Sequence, residues 1–214
     1  FKNNSTNWSK DLNMITNQTL KLFPEPIFKY KFDNHKELNA ELSNYIYDLR
    51  DNDTEGLKRS NKGGWHSKNF ELKDKNSIQF QFAIKVQEYI VDTFKKFGWK
   101  IKNKNIRISE MWAIINKKED FNVIHTHPNC YLSAAYYVKA PKNCGKFEIE
   151  HPNSAKKYSF PEVEVRNELN LEVASIEIDE GDLLLFPSYL PHKVGQNQSD
   201  NDRIVISFNV DIQK

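Results

Sequence analysis

Gly181-Asp182-Leu183-Leu184-Leu185-Phe186-Pro187 leads into His192, and eleven residues later comes Arg203-Ile204-Val205-Ile206-Ser207-Phe208-Asn209-Val210. Both apolar runs are short and bounded by turn-forming residues, Asp179 to Asp182 and Gln196 to Asp202. Runs of this length and composition read as buried β-strands. An imidazole follows the first run and a guanidinium opens the second. A permanently charged Arg at the mouth of a buried strand needs an anion. Its planar fork matches a carboxylate. A salt bridge to Asp200 or Asp202 is the competing use of the same side chain.

Working outward, further strands are expected at Ile106–Asn116, Tyr131–Lys139, Lys146–Glu150 and Glu172–Ile178, with a turn at Asn143-Cys144-Gly145. Upstream the period changes. Leu38, Leu42, Tyr45, Ile46 and Leu49 recur at helical spacing and predict a helix over about 35–50. Ile78, Phe82, Val86, Ile90, Phe94 and Phe97 form a second stripe, ended by Gly98. The polar segment 51–77 between them, with Gly63-Gly64-Trp65-His66-Ser67, reads as a long loop of the kind often functional. Leu22 to Phe28 carries two Pro and is followed by alternating Tyr30 and Phe32, as in an edge strand. Residues 1–21 read as a polar arm. The expected architecture is α+β: a helical support over about 35–98 and an all-β barrel or jelly roll over about 105–211, forming one domain over 22–214.

The 31 Lys and Arg balance 29 Asp and Glu. Charge therefore gives no reason to expect a nucleic-acid partner. Arg occurs only five times, so each Arg carries more information than the dispersed Lys. Cys130 and Cys144 lack metal-site spacing and are too few for a disulfide framework. They are expected to be reduced thiols in a cytoplasmic protein. No apolar run reaches the roughly 18 residues of a membrane span. Phe1-Lys2-Asn3-Asn4 is followed by no apolar h-region, so this stretch is not expected to be a secretory leader. Oligomeric state is not readable.

Of six His, three stand beside strands and turns: His125 and His127 in Ile124-His125-Thr126-His127-Pro128-Asn129, and His192. Residues two apart on extended backbone point to one face. A distant third imidazole could complete a facial set, and imidazoles suit Fe, Zn, Cu or Ni.

These motifs together resemble the double-stranded β-helix oxygenases of the prolyl- and aspartyl-hydroxylase type. His125-Thr126-His127-Pro128 is similar to the His-Thr-Gly-Pro segment of aspartyl β-hydroxylases. Ser133-Ala134-Ala135-Tyr136-Tyr137-Val138 resembles the Tyr-Tyr-Leu strand of prolyl hydroxylases. The resemblance is closest to a family of 2-oxoglutarate/Fe(II) oxygenases of marine bacteria and phages. That family shares the Leu-Phe-Pro-x-Pro start, here 22–26, and the Gly-Gly-Trp-x-Ser loop, here 63–67. It implies a jelly-roll core and Fe(II) between His125 and His192. It also implies 2-oxoglutarate as cosubstrate, with Arg203 and Tyr137 on its distal carboxylate. By strand parity Ser207, four after Arg203, shares its face and can add a hydroxyl, and Ser133, on one face with Ala135 and Tyr137, is a weaker candidate. No catalytic residue beyond the metal centre is implied.

The carboxylate usual at the second ligand position is absent, and His127 stands there. His127 could ligate, could turn away and leave water, or the site could take another metal. Trp65, His66, Trp112 and Asn116 are expected on the substrate side, facing a small molecule or a protein side chain. The rival readings are a cupin-like metal barrel without 2-oxoglutarate turnover and a non-catalytic binding module.

Overall fold

A computed structural model describes residues 19, 21–159 and 161–213. The expected polar arm therefore lies almost wholly outside the described residues. The chain forms β1 (Phe28–Lys31), α1 (His35–Asn52), β2 (Asn61–Lys62), β3 (Trp65–His66), α2 (Ile78–Lys85), α3 (Gln87–Lys96), β4 (Asn105–Asn116) and β5 (Phe121–His125). It continues with β6 (Leu132–Lys139), β7 (Phe147–Glu150), α4 (Lys156–Ser159), β8 (Val173–Ile176), β9 (Asp182–Pro187), β10 (His192–Val194) and β11 (Arg203–Gln213).

Two antiparallel sheets result. The larger runs β1-β9-β6-β11-β4-β3 and the smaller β2-β5-β10-β7-β8. Their central strands cross between sheets, so sequence neighbours β4 and β5, or β9 and β10, lie in different layers. β11 is the spine: it pairs with β4 from Arg203↔Asn116 to Gln213↔Asn105 and with β6 on its other edge. β1 sits at the edge, against β9, as Pro24 and Pro26 just before it anticipate.

Strand parity divides the interior in two. Met111, Ala113, Ile115, Leu132, Tyr136, Val138, Leu183, Leu185, Ile204, Ile206 and Phe208 point from the large sheet to the helices. There they meet Leu42, Ile46, Phe82, Val86, Ile90 and Phe94. The alternate residues Ala135, Tyr137, Leu184, Phe186 and Val205 point between the sheets, where Phe147 and Ile149 join them. Both faces are covered, so β6 and β9 read as near-continuous apolar runs rather than alternating ones. A polar clasp ties helix to sheet: Tyr136 Oη donates to Asn39 Oδ1 at 2.7 Å, and Asn39 Nδ2 donates to the Val138 carbonyl at 2.9 Å.

Three expectations need correction. The second helical stripe is two helices meeting at Val86. Backbone bonds run through the junction, from Val86 N to the Phe82 carbonyl and from Ile90 N to the Val86 carbonyl, so the apolar stripe is uninterrupted. The loop 51–77 contributes β2 and β3, which extend the two sheets. Strands β5 and β10 were not anticipated. They are short and partly polar, and pairing rather than composition makes them strands.

Candidate metal centre and cosubstrate pocket

His125 and His192 are register partners across the β5–β10 pair. Directly opposed residues share one face, so sheet pairing alone brings two imidazoles together over 67 residues of chain (192 − 125). His127 follows on the turn after β5, tied by its backbone N–H to the Ser188 carbonyl at 3.0 Å. Ring centroids lie 4.3 Å apart for His125–His192, 5.0 Å for His125–His127 and 5.2 Å for His127–His192. One ligand nitrogen from each ring falls within 4.8 Å of the other two.

Backbone carbonyls set two of the tautomers. His125 Nδ1 faces the Val123 carbonyl at 2.8 Å and His192 Nδ1 faces the Leu190 carbonyl at 2.9 Å. A carbonyl only accepts, so each Nδ1 carries the proton and each Nε2 keeps its lone pair. Burial holds all three imidazoles below their ordinary pKa, and neighbouring His side chains add to the effect at His127 and His192. His127 falls to about 4 and His192 to about 3. Three neutral imidazoles converging on one point are the donor set of a first-row transition metal.

These rings line a cavity of about 670 Å³ between the sheets. Its inner end holds Arg203, fully buried. One terminal nitrogen, Nη1, donates to the Gly195 carbonyl at 2.9 Å and to the Cys144 carbonyl. Among the described residues the remaining edge, Nε and Nη2, has no partner, and neither has the buried Tyr137 hydroxyl. Burial pulls the guanidinium pKa below its ordinary value and pushes that of Tyr137 up. Asp200 pairs with Lys118, and Asp202 accepts from Tyr47, so neither is the counter-ion of Arg203. An Nε–Nη2 edge is a two-donor fork of the spacing a carboxylate accepts. An unsatisfied buried cation of this kind costs stability unless a ligand answers it. The residues thus fit a dicarboxylate with one end at this edge.

Gly145 makes the cradle possible. Its φ is +87°, and a Cβ there would stand 2.2 Å from the Gly195 carbonyl oxygen and 2.8 Å from Arg203 Nη1. The Cys144, Gly145 and Gly195 backbone was missed from sequence. The available signal was a pair of glycines on turns flanking buried strands.

The remaining predicted residues separate. Ser207 faces the cavity, but it lies four residues along β11 from Arg203, roughly 13 Å of strand, and so stands far from the guanidinium. Ser133 Oγ is committed to Asn209 Oδ1 at 3.0 Å and does not line the cavity. Trp65 is a loop anchor: its Nε1 donates to the Asp53 carbonyl at 2.7 Å and its ring packs toward the helices. His66, Trp112 and Asn116 do line the cavity, on β3 and β4. Trp112 Nε1 and both polar atoms of the Asn116 carboxamide are buried without partners among the described residues. Arg59, Lys68 and Glu110 add charge among the lining residues.

Residues 110–209 match the family described as "Putative 2OG-Fe(II) oxygenase". No curated protein matches the chain in sequence. Among solved structures, the fold is similar to HygX from Streptomyces hygroscopicus with nickel, 2-oxoglutarate and hygromycin B bound. That likeness has 12% identity and a TM-score of 0.60, over 87% of this chain and 83% of that one. It is similar also to a Pseudomonas putida prolyl-4-hydroxylase, with 13% identity and a TM-score of 0.59 over 86% and 92% of the two chains. A third likeness is to a prolyl hydroxylase from Trichoplax adhaerens in complex with a hypoxia inducible factor peptide, with 12% identity and a TM-score of 0.58 over 86% and 83%. These likenesses establish a shared fold, and the matched segment spans strands β4 to β11 with every imidazole of the cluster and Arg203. The match over residues 110–209, just under half of the chain, the shared fold and the imidazole cluster together point to a 2-oxoglutarate/Fe(II)-dependent oxygenase.

Proposed function

We propose that the two sheets are a double-stranded β-helix forming one domain over 22–214. In this reading His125, His127 and His192 hold Fe(II), and the Nε–Nη2 edge of Arg203 with the Tyr137 hydroxyl takes the distal carboxylate of 2-oxoglutarate. When bound, Fe(II) activates oxygen, so that 2-oxoglutarate, O2 and a C–H substrate give succinate, CO2 and hydroxylated product. The protein's own work is to bind and orient. Val123 and Leu190 carbonyls fix two imidazoles, Cys144 and Gly195 carbonyls fix the guanidinium, and Phe147 and Phe186 keep the inner wall apolar. Excluding water there strengthens every charge interaction in the pocket.

The wall of His66, Trp112 and Asn116 is assigned to the substrate. His66 Nδ1 is tied to the Ser67 carbonyl at 2.7 Å, so its Nε2 is an acceptor, while Trp112 Nε1 is a donor and Asn116 offers both. The cavity is several times the size of 2-oxoglutarate and leaves room for a small molecule or a protein side chain. The single observation that carries the reading is the unpartnered edge of Arg203 beside the unpartnered Tyr137 hydroxyl, in the cavity that the three imidazoles line. The test is succinate release by Fe(II)-loaded protein under air. Release that Arg203→Met abolishes supports the proposal. Metal binding with no 2-oxoglutarate consumption would instead leave a metal barrel of another kind.

A further inference from the structure

The three imidazoles are not held alike. His125 and His192 each have a carbonyl on Nδ1, whereas among the described residues neither ring nitrogen of His127 has a hydrogen-bond partner. What faces the His127 ring is other rings. Trp112 lies at 5.7 Å between centroids and 27° between planes, and His192 at 5.2 Å and 12°. Trp112 is itself stacked with His66, at 5.6 Å and 9°. That imidazole is pinned by its bond to the Ser67 carbonyl. Ser67 is in turn clamped to β4, its N–H donating to the Ala113 carbonyl and its Oγ accepting from Ala113 N–H, both at 2.9 Å. The support therefore passes from β4 through Ser67, His66 and Trp112 to His127, as a run of rings ending at the metal centre.

We infer that Trp112 is a positioning residue for His127, its indole plane taking the place of the hydrogen bond that orients the other two ligands. The inference rests on the reading of His127 as a metal ligand. A ring held by stacking keeps its plane but can turn within it or withdraw, and either nitrogen can carry the proton. His127 is then the replaceable ligand of the three, and Trp112 sets how often it is in place. The orphaned Nε1 of Trp112 is irrelevant to this role, because the indole acts through its face.

The test uses the full chain, Co(II) alone as probe, no oxygen, and two readouts: dissociation constant and visible absorption spectrum. His127→Ala and His192→Ala give the reference losses. Trp112→Phe keeps an aromatic face and is expected to bind within about threefold of the native protein, with its spectrum. Trp112→Leu keeps bulk but not the face, and is expected to bind about tenfold more weakly, in the range for loss of a ligand's supporting partner. Its spectrum should shift toward that of His127→Ala. In the His127→Ala background, Trp112→Leu should cost nothing further, since there is no ring left to orient. An equal loss in both backgrounds would make Trp112 merely structural and overturn the inference. So would a Trp112→Phe variant that behaves like His127→Ala, a result that remains readable if the Leu variant does not fold. If His127→Ala binds Co(II) as the native protein does while His192→Ala does not, His127 is no ligand and the underlying reading falls first.

Discussion

Replacing Arg203 by Met separates the pocket's function from the fold's stability. The side chain is fully buried, with two carbonyls on Nη1 and nothing on Nε or Nη2. Removing a buried charge without a counter-ion, in favour of an apolar side chain of similar length, gains about 1–4 kcal/mol. Losing two hydrogen bonds donated by the charged guanidinium costs about 3–6 kcal/mol in total. The gain offsets much of that cost, and at about 2–4 °C per kcal/mol for a chain of this size the ligand-free melting temperature should fall by only a few degrees. Binding should respond very differently. Two charge-assisted bonds to a carboxylate, at about 1.5–3 kcal/mol each, correspond to at least a hundredfold loss of 2-oxoglutarate affinity. The assay is thermal unfolding with and without 2-oxoglutarate, paired with calorimetric titration. Expected are a near-native melting temperature and no rise on adding 2-oxoglutarate. A fall of about 10 °C or more would mean that the protein itself satisfies the guanidinium as a structural group, the breaking of which costs about 3–5 kcal/mol. Unchanged affinity would remove Arg203 from the pocket altogether.

Other outcomes follow from the same geometry. Gly145→Ala must move the Gly195 carbonyl and the Arg203 Nη1 that a Cβ would overlap, and its φ of +87° strains any side chain. It should lower stability by about 1–3 kcal/mol, measured by urea unfolding, and weaken 2-oxoglutarate binding as Arg203→Met does; native affinity would show that the cradle is not needed. Metal-free protein should lose stability as pH falls from 6.5. The three imidazoles sit below their ordinary pKa when folded, so between 6.5 and about 4 the unfolded chain binds protons that the folded chain refuses. For His127 alone, 2.5 units (6.5 − 4) amount to on the order of 3 kcal/mol. A flat urea profile from pH 7 to 4.5 would contradict the burial of these rings. His192→Ala should abolish tight Co(II) binding while leaving the helix-side core folded, read by absorption titration beside circular dichroism; unimpaired binding would remove His192 from the site.

How much of this was legible depended on what each segment is paired with. β6, β9, most of β11 and the second half of β4 were readable because both their faces are buried and their composition says so. β5 and β10 were not, although they carry His125 and His192. Phe121-Asn122-Val123-Ile124-His125 and His192-Lys193-Val194 are too short, and too interrupted by polar residues, to announce a strand, and their mutual register makes them one. These imidazoles were thus found as residue types in a motif and not as neighbours in a sheet. Arg203 was legible because a cation opening an apolar strand is anomalous wherever it occurs. Ser207 and Ser133 went astray because parity gives the face of a strand and not the distance along it. Trp65 and His66 are adjacent and point oppositely, one anchoring its loop and one facing the cavity; which was which depended on β3, a strand of two residues.

The division of the interior by strand parity has a further consequence. The larger apolar cluster lies on the helix side of the great sheet, and only a thin one shares the space between the sheets with the cavity. Persistence of the folded state is vested in one half of the molecule and reactivity in the other, with a single layer of backbone as their common wall. Such a chain can exchange residues at the mouth of its cavity, and with them its chemical appetite, while the half that keeps it standing takes no notice.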